Sequence, residues 1–231
     1  MRNESGTIAA ISTAMSNSGI GIVRMSGEEA VEIAERIYKG KNEKKLSKQP
    51  THTIHYGYIV DGEDTIDEVL VMLMRGPHSY TGEDTVEINC HGGVYITNKV
   101  VDLCLHHGAR LAERGEFSKR AFLNGRIDLS QAEAISDIIT AKNSYASSLA
   151  LKGIQGSISH FIKDLKEDLI QIITQIEVNI DYPEYEDVEE LTADKLLPMS
   201  TSLIEKMNKI IEDSKNIKLL KEGIQTAIIG K

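Results

Sequence analysis

The first half of the chain alternates short apolar runs with polar turns, a pattern typical of β-strands. In one short predicted strand the side chains of Val86 and Ile88 fall on one face of an extended chain, and those of Glu87 and Asn89 fall on the other. Four further runs predict strands, with the turn signal Asp61-Gly62 between the last two: Thr7–Ile11, Ile20–Met25, Thr53–Val60 and Glu68–Met74. Two segments repeat apolar residues at helical spacing and predict helices: Glu28–Tyr38, ended by Gly40, and Val94–His106, closed by Gly108.

The second half of the chain has the period of helices throughout. Ser130 and Glu133 fit a capping box, in which the serine hydroxyl accepts from the amide three residues on, so we expect a helix from there to about Lys152. An apolar stripe from Ile158 to Ile180 predicts a second helix, and a third is expected between its cap, Thr192, and Gly223. The predicted fold class is therefore α+β: an N-terminal mixed α/β domain followed by an all-α helical bundle domain.

Composition excludes several classes of protein. The 231 residues carry a net charge of -9, which argues against a nucleic-acid clamp with a basic surface. Five lysines between Lys39 and Lys48 favour a solvated connection over a nucleic-acid contact. The two cysteines cannot form a disulfide framework, and no apolar run has the roughly 18 residues that a membrane span needs. We expect a soluble, cytoplasmic protein with no membrane association.

The richest candidate site is the segment Pro77–Gly93, whose polar side chains are concentrated around Glu87 and end at the Gly92-Gly93 step. The simpler alternative is a half-exposed edge strand with a solvated glutamate. Cys90 and His91 are adjacent, but the cysteines and histidines do not have the spacing of a zinc site, and we expect no metal there. A Cys–His nucleophile requires spatial proximity that a sequence does not give.

A second polar block, Arg114 to Glu133, follows this segment. We interpret Arg114, Glu116, Lys119 and Arg120 as a structural ion-pair network that joins the two domains rather than as catalytic groups.

The C-terminal residues form a third candidate. Thr226–Ile229 predicts a β-branched, apolar strand that stops at Gly230-Lys231. A phosphate-binding loop of the form G-x-x-x-x-G-K-S/T begins directly after such a strand, although an ordinary C-terminal strand would look the same.

Several motifs resemble the MnmE (TrmE) family of tRNA-modifying GTPases over almost the whole chain. They are T-I-A-A-I-S-T-A at Thr7, G-I-G-I-V-R-M-S-G at Gly19, P-H-S-Y-T-G-E-D at Pro77, E-I-N-C-H-G-G at Glu87, the block from Arg114 to Ala134, L-K-G-I-Q-G at Leu151 and D-Y-P-E at Asp181. The resemblance implies a tetrahydrofolate-binding and dimerisation domain, similar to the folate-binding aminomethyltransferases, over residues 1–124. It further implies the first part of a helical domain over 125–222 and a stub of a Ras-like G domain over 223–231.

The function that the resemblance implies is tRNA modification. The parent protein, with the flavin-dependent partner MnmG, would install an aminomethyl-type group on carbon 5 of the wobble uridine of tRNA. GTP, potassium and magnesium would serve the full-length protein only, and we expect the present chain to lack GTPase activity. The family's contacts to 5-formyl-tetrahydrofolate, or a related one-carbon tetrahydrofolate, fall on Arg24, Glu87 and Arg126, and the start of its phosphate loop falls on Gly230 and Lys231.

Two departures from the family pattern stand out. Residues Ala14–Gly19 replace a Pro- and Gly-rich loop, and Arg126 stands where family members often have lysine. Two other functions stay open on the sequence alone: a stand-alone folate-dependent one-carbon transferase, and a purely structural helical adaptor.

Overall fold

The computed structural model describes residues 6–41, 44–181, 193–222 and 227–230. Contacts between residues divide the chain into two compact units, residues 1–127 and residues 128–231. The two units are described separately below.

The first unit is built on a seven-stranded sheet with the order β3-β4-β5-β6-β2-β1-β7. All neighbouring strands are antiparallel except β1 and β7, which are parallel. The strands are β1 (Ile8–Ile11), β2 (Gly21–Ser26), β3 (Tyr38–Gly40), β4 (Thr53–Asp61), β5 (Asp64–Met74), β6 (Thr85–Cys90) and β7 (Arg110–Leu111). The helices of this unit are α1 (Ala30–Ile37), α2 (Val94–His106) and α3 (Glu116–Leu123).

One face of the sheet packs against α1 and α2 and forms the core. Val23 and Met25 of β2 are buried there beside Val86 and Ile88 of β6. Because side chains alternate along a strand, the intervening residues point to the opposite face, which we call the outer face. Its members include Arg24, Glu87, Asn89, Leu70, Tyr56 and Ile54.

The four strands expected near the N-terminus and in the β4–β5 hairpin are confirmed, with Gly62 at a positive φ of 63° in the turn. The helix Val94–His106 is confirmed with the expected bounds. The predicted role of Gly40 is wrong, because α1 ends at Ile37 and Gly40 lies in β3, where it pairs with Gly57. The edge-strand alternative for Glu87 is also wrong, because β6 lies between β5 and β2 in the interior of the sheet.

The second unit contains α4 (Leu129–Thr140), α5 (Ser144–Ile154), α6 (Ser157–Asp181) and α7 (Ala193–Glu222). The predicted capping box of Ser130 and Glu133 is wrong. Asp128 is the N-cap of α4: its carboxylate accepts from the amide of Gln131 at 2.9 Å, and the Gln131 side chain accepts from the amide of Asp128 at 3.0 Å.

The single helix expected from Ser130 to Lys152 is two helices. The break follows Thr140, and Asn143 caps α5 by accepting from the amide of Ala146 at 2.7 Å. Gly153 of α5 lies against α4 so closely that a Cβ at this position would be 2.7 Å from the Cβ of Ala134.

The apolar stripe of α6 is present, and much of it is exposed. Ile162 is 57% exposed and Ile173 is 44% exposed. The expected cap Thr192 and the expected helix end Gly223 lie outside the described residues.

The prediction of a strand at Thr226–Ile229 is wrong for residues 227–229, the part of it that the structure describes. Residues 227–230 are not in a strand, and Ile228 and Ile229 are 96% and 95% exposed. A strand requires a hydrogen-bonded neighbour, and none of the described residues pairs with this segment. Thr226 and Lys231 lie outside the described residues.

Candidate functional site

The centre of the candidate site is an ion pair between neighbouring strands. Arg24 of β2 and Glu87 of β6 are direct cross-strand partners on the outer face. Nε and Nη2 of Arg24 both lie 2.7 Å from Oε1 of Glu87. The Glu87 side chain is only 13% exposed and the Arg24 side chain 29%, so the pair is shielded from bulk water on most sides. The register of the sheet therefore brings together two residues that the sequence separates by 63 positions.

Two aromatic rings flank the guanidinium of Arg24. Its central carbon lies 5.8 Å from the ring centre of Tyr80 and 5.6 Å from that of Phe117, distances at which a cation is attracted to the face of an aromatic ring. The Tyr80 hydroxyl is 2.7 Å from the Ser118 hydroxyl, which ties the loop before β6 to α3. These contacts fix the plane of the guanidinium, so that its hydrogen-bonding edge has one preferred direction.

Tyr80 and Phe117 are site residues that sequence reasoning missed. Tyr80 lies in the motif P-H-S-Y-T-G-E-D and Phe117 in R-G-E-F-S-K-R. An aromatic residue within such a polar stretch was the available signal of a role in the site. Their common neighbour, Arg24, lies in a third segment, and only the fold brings the three together.

The third predicted contact residue is placed differently. Arg126 follows α3, its amide donates to the carbonyl of Ala121 at 2.8 Å, and its side chain is exposed. Among the described contacts, none joins Arg126 to Arg24 or Glu87. The structure thus brings together two of the three predicted residues.

Glu116 and Arg120 of the second polar block belong to a partly buried network that does not lie in the outer face. Nη1 of Arg120 is 3.1 and 3.0 Å from the two carboxylate oxygens of Glu83, and Nη2 donates to the carbonyl of Gly6 at 2.6 Å. Glu116 pairs with both Arg110 and Arg120. The hydrogen bonds from Arg110 hold the pKa of Glu116 at about 2, below its usual 4.5, against the opposing effect of burial.

The interpretation of this network as a connection between two domains is corrected. The four residues with these ion pairs, Glu83, Arg110, Glu116 and Arg120, all lie in the first unit. Helix α3 returns to the loop before β6, so its charged residues meet partners from the same unit.

Cys90 is buried at the end of β6, whereas the next residue, His91, is exposed. The Cys90 thiol is buried with Ile88 and donates to the carbonyl of Gly21 at 3.3 Å, and burial raises its pKa. The His91 ring is exposed, and its Nδ1 lies 2.7 Å from Asp67, a hydrogen bond that raises the pKa of His91. The two residues therefore do not form a nucleophile pair in this structure. In the described part of the chain, no group of three or more histidine, cysteine, aspartate or glutamate residues has the geometry of a metal site.

The glycine step after β6 accommodates the chain itself. A Cβ on Gly92 would lie 2.5 Å from the carbonyl oxygen of Ser18, and the Ser18 amide donates to the Gly92 carbonyl at 3.0 Å. Gly92 thus permits the unusual loop Ala14–Gly19 to pack against β6. Nearby on the outer face, a cavity of about 440 Å³ is lined by residues that include Leu70, Asn89 and His91.

None of the helices among the described residues combines the length and apolar character that a membrane crossing requires. The features above define a protein with a mixed α/β unit, which carries an arginine–carboxylate site on its outer sheet face, followed along the chain by a unit of helices.

Comparison with known proteins gives this class a family. The model of the GTP-binding protein TrmE N-terminus matches residues 7–126, and the model of the MnmE helical domain matches residues 129–226. The chain therefore belongs to the MnmE family.

Similar proteins include the tRNA modification GTPases MnmE of Bacillus pumilus (52% identical), Staphylococcus epidermidis (50%) and Bacillus anthracis (53%). The alignments cover 97%, 97% and 99% of the present chain. They cover 50%, 49% and 50% of those relatives, so the chain spans about half their length.

Proposed function

We propose that this chain contributes the folate-binding and dimerising part of a tRNA modification GTPase. With the flavin-dependent partner MnmG, the whole protein modifies carbon 5 of the wobble uridine of tRNA in the cytoplasm, and GTP hydrolysis with potassium and magnesium drives its movements. In this proposal, the first unit has the fold of the folate-binding aminomethyltransferases and supplies the site for the one-carbon tetrahydrofolate.

The observation that carries the proposal is the Arg24–Glu87 pair. Oε1 of Glu87 already accepts from two nitrogens of Arg24, and its second oxygen, Oε2, lies outside this pair. A carboxylate offers about four acceptor positions, so Oε2 suits the adjacent N–H donors of a pterin edge. A pterin that engages both oxygens has to share Oε1 with Arg24.

Arginine residues suit the carboxylate tail at the other end of the folate. The folate tail carries carboxylates, and a guanidinium binds a carboxylate through two parallel hydrogen bonds. Arg126 is exposed at the end of α3, whose Phe117 contacts Arg24, and this position suits a contact to an extended tail.

We also propose that two copies of the chain pair through the first unit. The outer face exposes large apolar side chains: Ile54 is 63% exposed, Leu70 46% and Tyr56 43%. Burying them against a second copy is favourable, because each fully buried side chain of this size contributes roughly 1.5–3 kcal/mol. Multi-angle light scattering at tens of micromolar protein should give twice the chain mass, and a monomer at that concentration would contradict the pairing.

The functional proposal is tested on tRNA from cells that depend on the full-length protein. Replacing Glu87 by Gln in that protein should abolish most of the modification on carbon 5 of the wobble uridine, measured by mass spectrometry of nucleosides. The matched control, Glu63→Gln in the exposed β4–β5 turn, should leave it unchanged. Normal modification in the Glu87→Gln strain, with normal protein levels, would refute the proposed role of this site.

A further inference from the structure

Basic residues are concentrated at one edge of the sheet. Five of the 26 lysines and arginines lie within ten of the 231 positions, in a chain whose net charge is -9. We call them the lysine edge, because they begin in the edge strand β3 and continue into the next connection; they are Lys39, Lys41, Lys44, Lys45 and Lys48. The side chains of all five are exposed.

The turn at the end of the lysine edge, Leu46–Lys48, is held in place by contacts with the rest of the first unit. Leu46, in the short 3-10 turn Leu46–Lys48, is 1% exposed and belongs to the core of the first unit. The carboxylate of Glu35 accepts from the Ser47 amide at 2.7 Å. Arg75 donates to the carbonyl of Ser47 at 2.9 Å. A ligand that binds beside the turn Leu46–Lys48 therefore does not have to order that turn, which removes part of the entropic cost of binding.

Lys45 interacts electrostatically with Glu35, but among the described residues the lysine edge contains no close ion pair. Lys99 pairs with Asp61 and Lys206 with Asp168, each at 2.7 Å or less. In the described residues, by contrast, none of the five lysines lies within ion-pair distance of a carboxylate. As far as the described residues show, the edge thus presents lysines outside close ion pairs, in a chain whose net charge is -9.

We propose that the lysine edge binds the phosphate backbone of RNA. The proposal replaces the solvated connection expected from the sequence, and its choice of RNA rests on the proposed function in tRNA modification. An anionic lipid surface fits less well, because membrane-surface segments combine basic residues with exposed apolar ones, whereas the only large apolar residue of this segment, Leu46, is buried. Lysine contacts to phosphates position an RNA without reading its sequence, so the edge orients the substrate rather than selects it.

The test compares two triple variants of the present chain. The first, Lys41→Gln, Lys44→Gln and Lys48→Gln, removes three charges from the lysine edge. The second, Lys152→Gln, Lys166→Gln and Lys209→Gln, removes three exposed lysines from helices of the second unit. Binding of fluorescently labelled tRNA is measured by anisotropy at several salt concentrations, and circular dichroism verifies that both variants are folded.

Each lost phosphate contact lowers the slope of log affinity against log salt by roughly 0.7–0.9. The lysine-edge variant should therefore lose about 2 units of slope and bind tRNA about a hundredfold more weakly near 0.1 M salt, while the control variant stays close to the unsubstituted chain. Equal behaviour of the two variants would overturn the proposal, as would an unsubstituted chain that binds no tRNA at low salt. So would binding to vesicles of anionic lipid that the first variant loses while tRNA binding stays intact.

The test of the lysine edge can be distinguished from a test of the folate site. Titration of 5-formyl-tetrahydrofolate should give equal affinities for the unsubstituted chain and for the lysine-edge variant, because none of the substituted residues contacts Arg24 or Glu87 in the structure. Loss of tRNA binding with normal folate binding supports the lysine edge alone. Normal tRNA binding with lost folate binding contradicts it.

Discussion

Replacing Glu116 by Gln should destabilise the first unit by several kilocalories per mole. The Glu116 side chain is 8% exposed and serves two arginines, of which Arg120 is also 8% exposed. Gln keeps the shape of the side chain but removes its charge, so that both guanidinium groups lose an anionic partner. Breaking a buried ion pair from one side costs about 3–5 kcal/mol, and the second partners of Arg120, Glu83 and the Gly6 carbonyl, place the expected loss at the lower end.

The lowered pKa of Glu116, which reflects the same arginine contacts, corresponds to a free energy of the same size. A carboxyl whose pKa is 4.5 in the unfolded chain and about 2 in the folded one contributes about 3 kcal/mol, at roughly 1.4 kcal/mol per pH unit. Because the pKa is lowered on folding, this contribution is fully present above pH 4.5 and disappears as the pH falls towards 2. The unsubstituted chain should therefore lose stability over this interval, and the Glu116→Gln variant should lose about 3 kcal/mol less.

The assay is urea unfolding followed by tyrosine fluorescence, since the chain has no tryptophan and eight tyrosines. It is run at neutral pH and at several values down to pH 2.5. The control is Glu63→Gln, the same chemical change at an exposed turn position, which should alter the free energy of unfolding by less than about 0.5 kcal/mol. Equal effects of the two substitutions at neutral pH, or the same pH dependence with and without Glu116, would refute the reasoning.

Three further substitutions test other parts of the structure. Asp128→Ala removes the cap of α4 and should lower the free energy of unfolding of the helical unit by about 1–2 kcal/mol, measured by circular dichroism. Asp128→Asn should cost much less, and equal losses for the two substitutions would argue against capping. Gly92→Ala places a Cβ 2.5 Å from the Ser18 carbonyl oxygen and should lower the melting temperature. Gly93→Ala, whose Cβ would have no neighbouring atom within 4 Å, should not, and an unchanged melting temperature for Gly92→Ala would disprove the close approach. The exposed face of α6 should bind a hydrophobic dye, and Ile162→Ser should weaken the fluorescence; no dye binding by the unsubstituted chain would contradict the exposure.

Strands β1, β2, β4, β5 and β6 and helices α1, α2 and α6 were predictable because their periodicity is strong, whereas the short elements β3, β7 and α3 were not predicted. The alternation around Glu87 placed β6 correctly, and the helical spacing from Val94 gave α2 with its observed bounds. The α4–α5 break was less visible, because the alanine-rich sequence favours helix across it. Its signal was Asn143, a residue typical of N-caps, directly before Ser144.

The candidate site was only partly predictable. Arg24 and Glu87 were proposed from family motifs, but their direct pairing depends on the register of β2 and β6, which no local pattern specifies. The same holds for Tyr80 and Phe117, whose positions over Arg24 follow from the packing of α3 and the loop before β6. Long-range pairing of this kind is a property of the folded sheet rather than of any segment.

Glu87 is the proposed anchor of the pterin ring, and calorimetric titration of 5-formyl-tetrahydrofolate measures its contribution to binding. Glu87→Gln is preferred to Glu87→Ala, because the amide keeps an acceptor near Arg24 and preserves the packing of an interior strand. We predict that the unsubstituted chain binds the ligand and that Glu87→Gln binds it at least tenfold more weakly, since a pterin donor then faces an amide in place of a carboxylate. Equal affinity of the two proteins, both folded, would contradict the account.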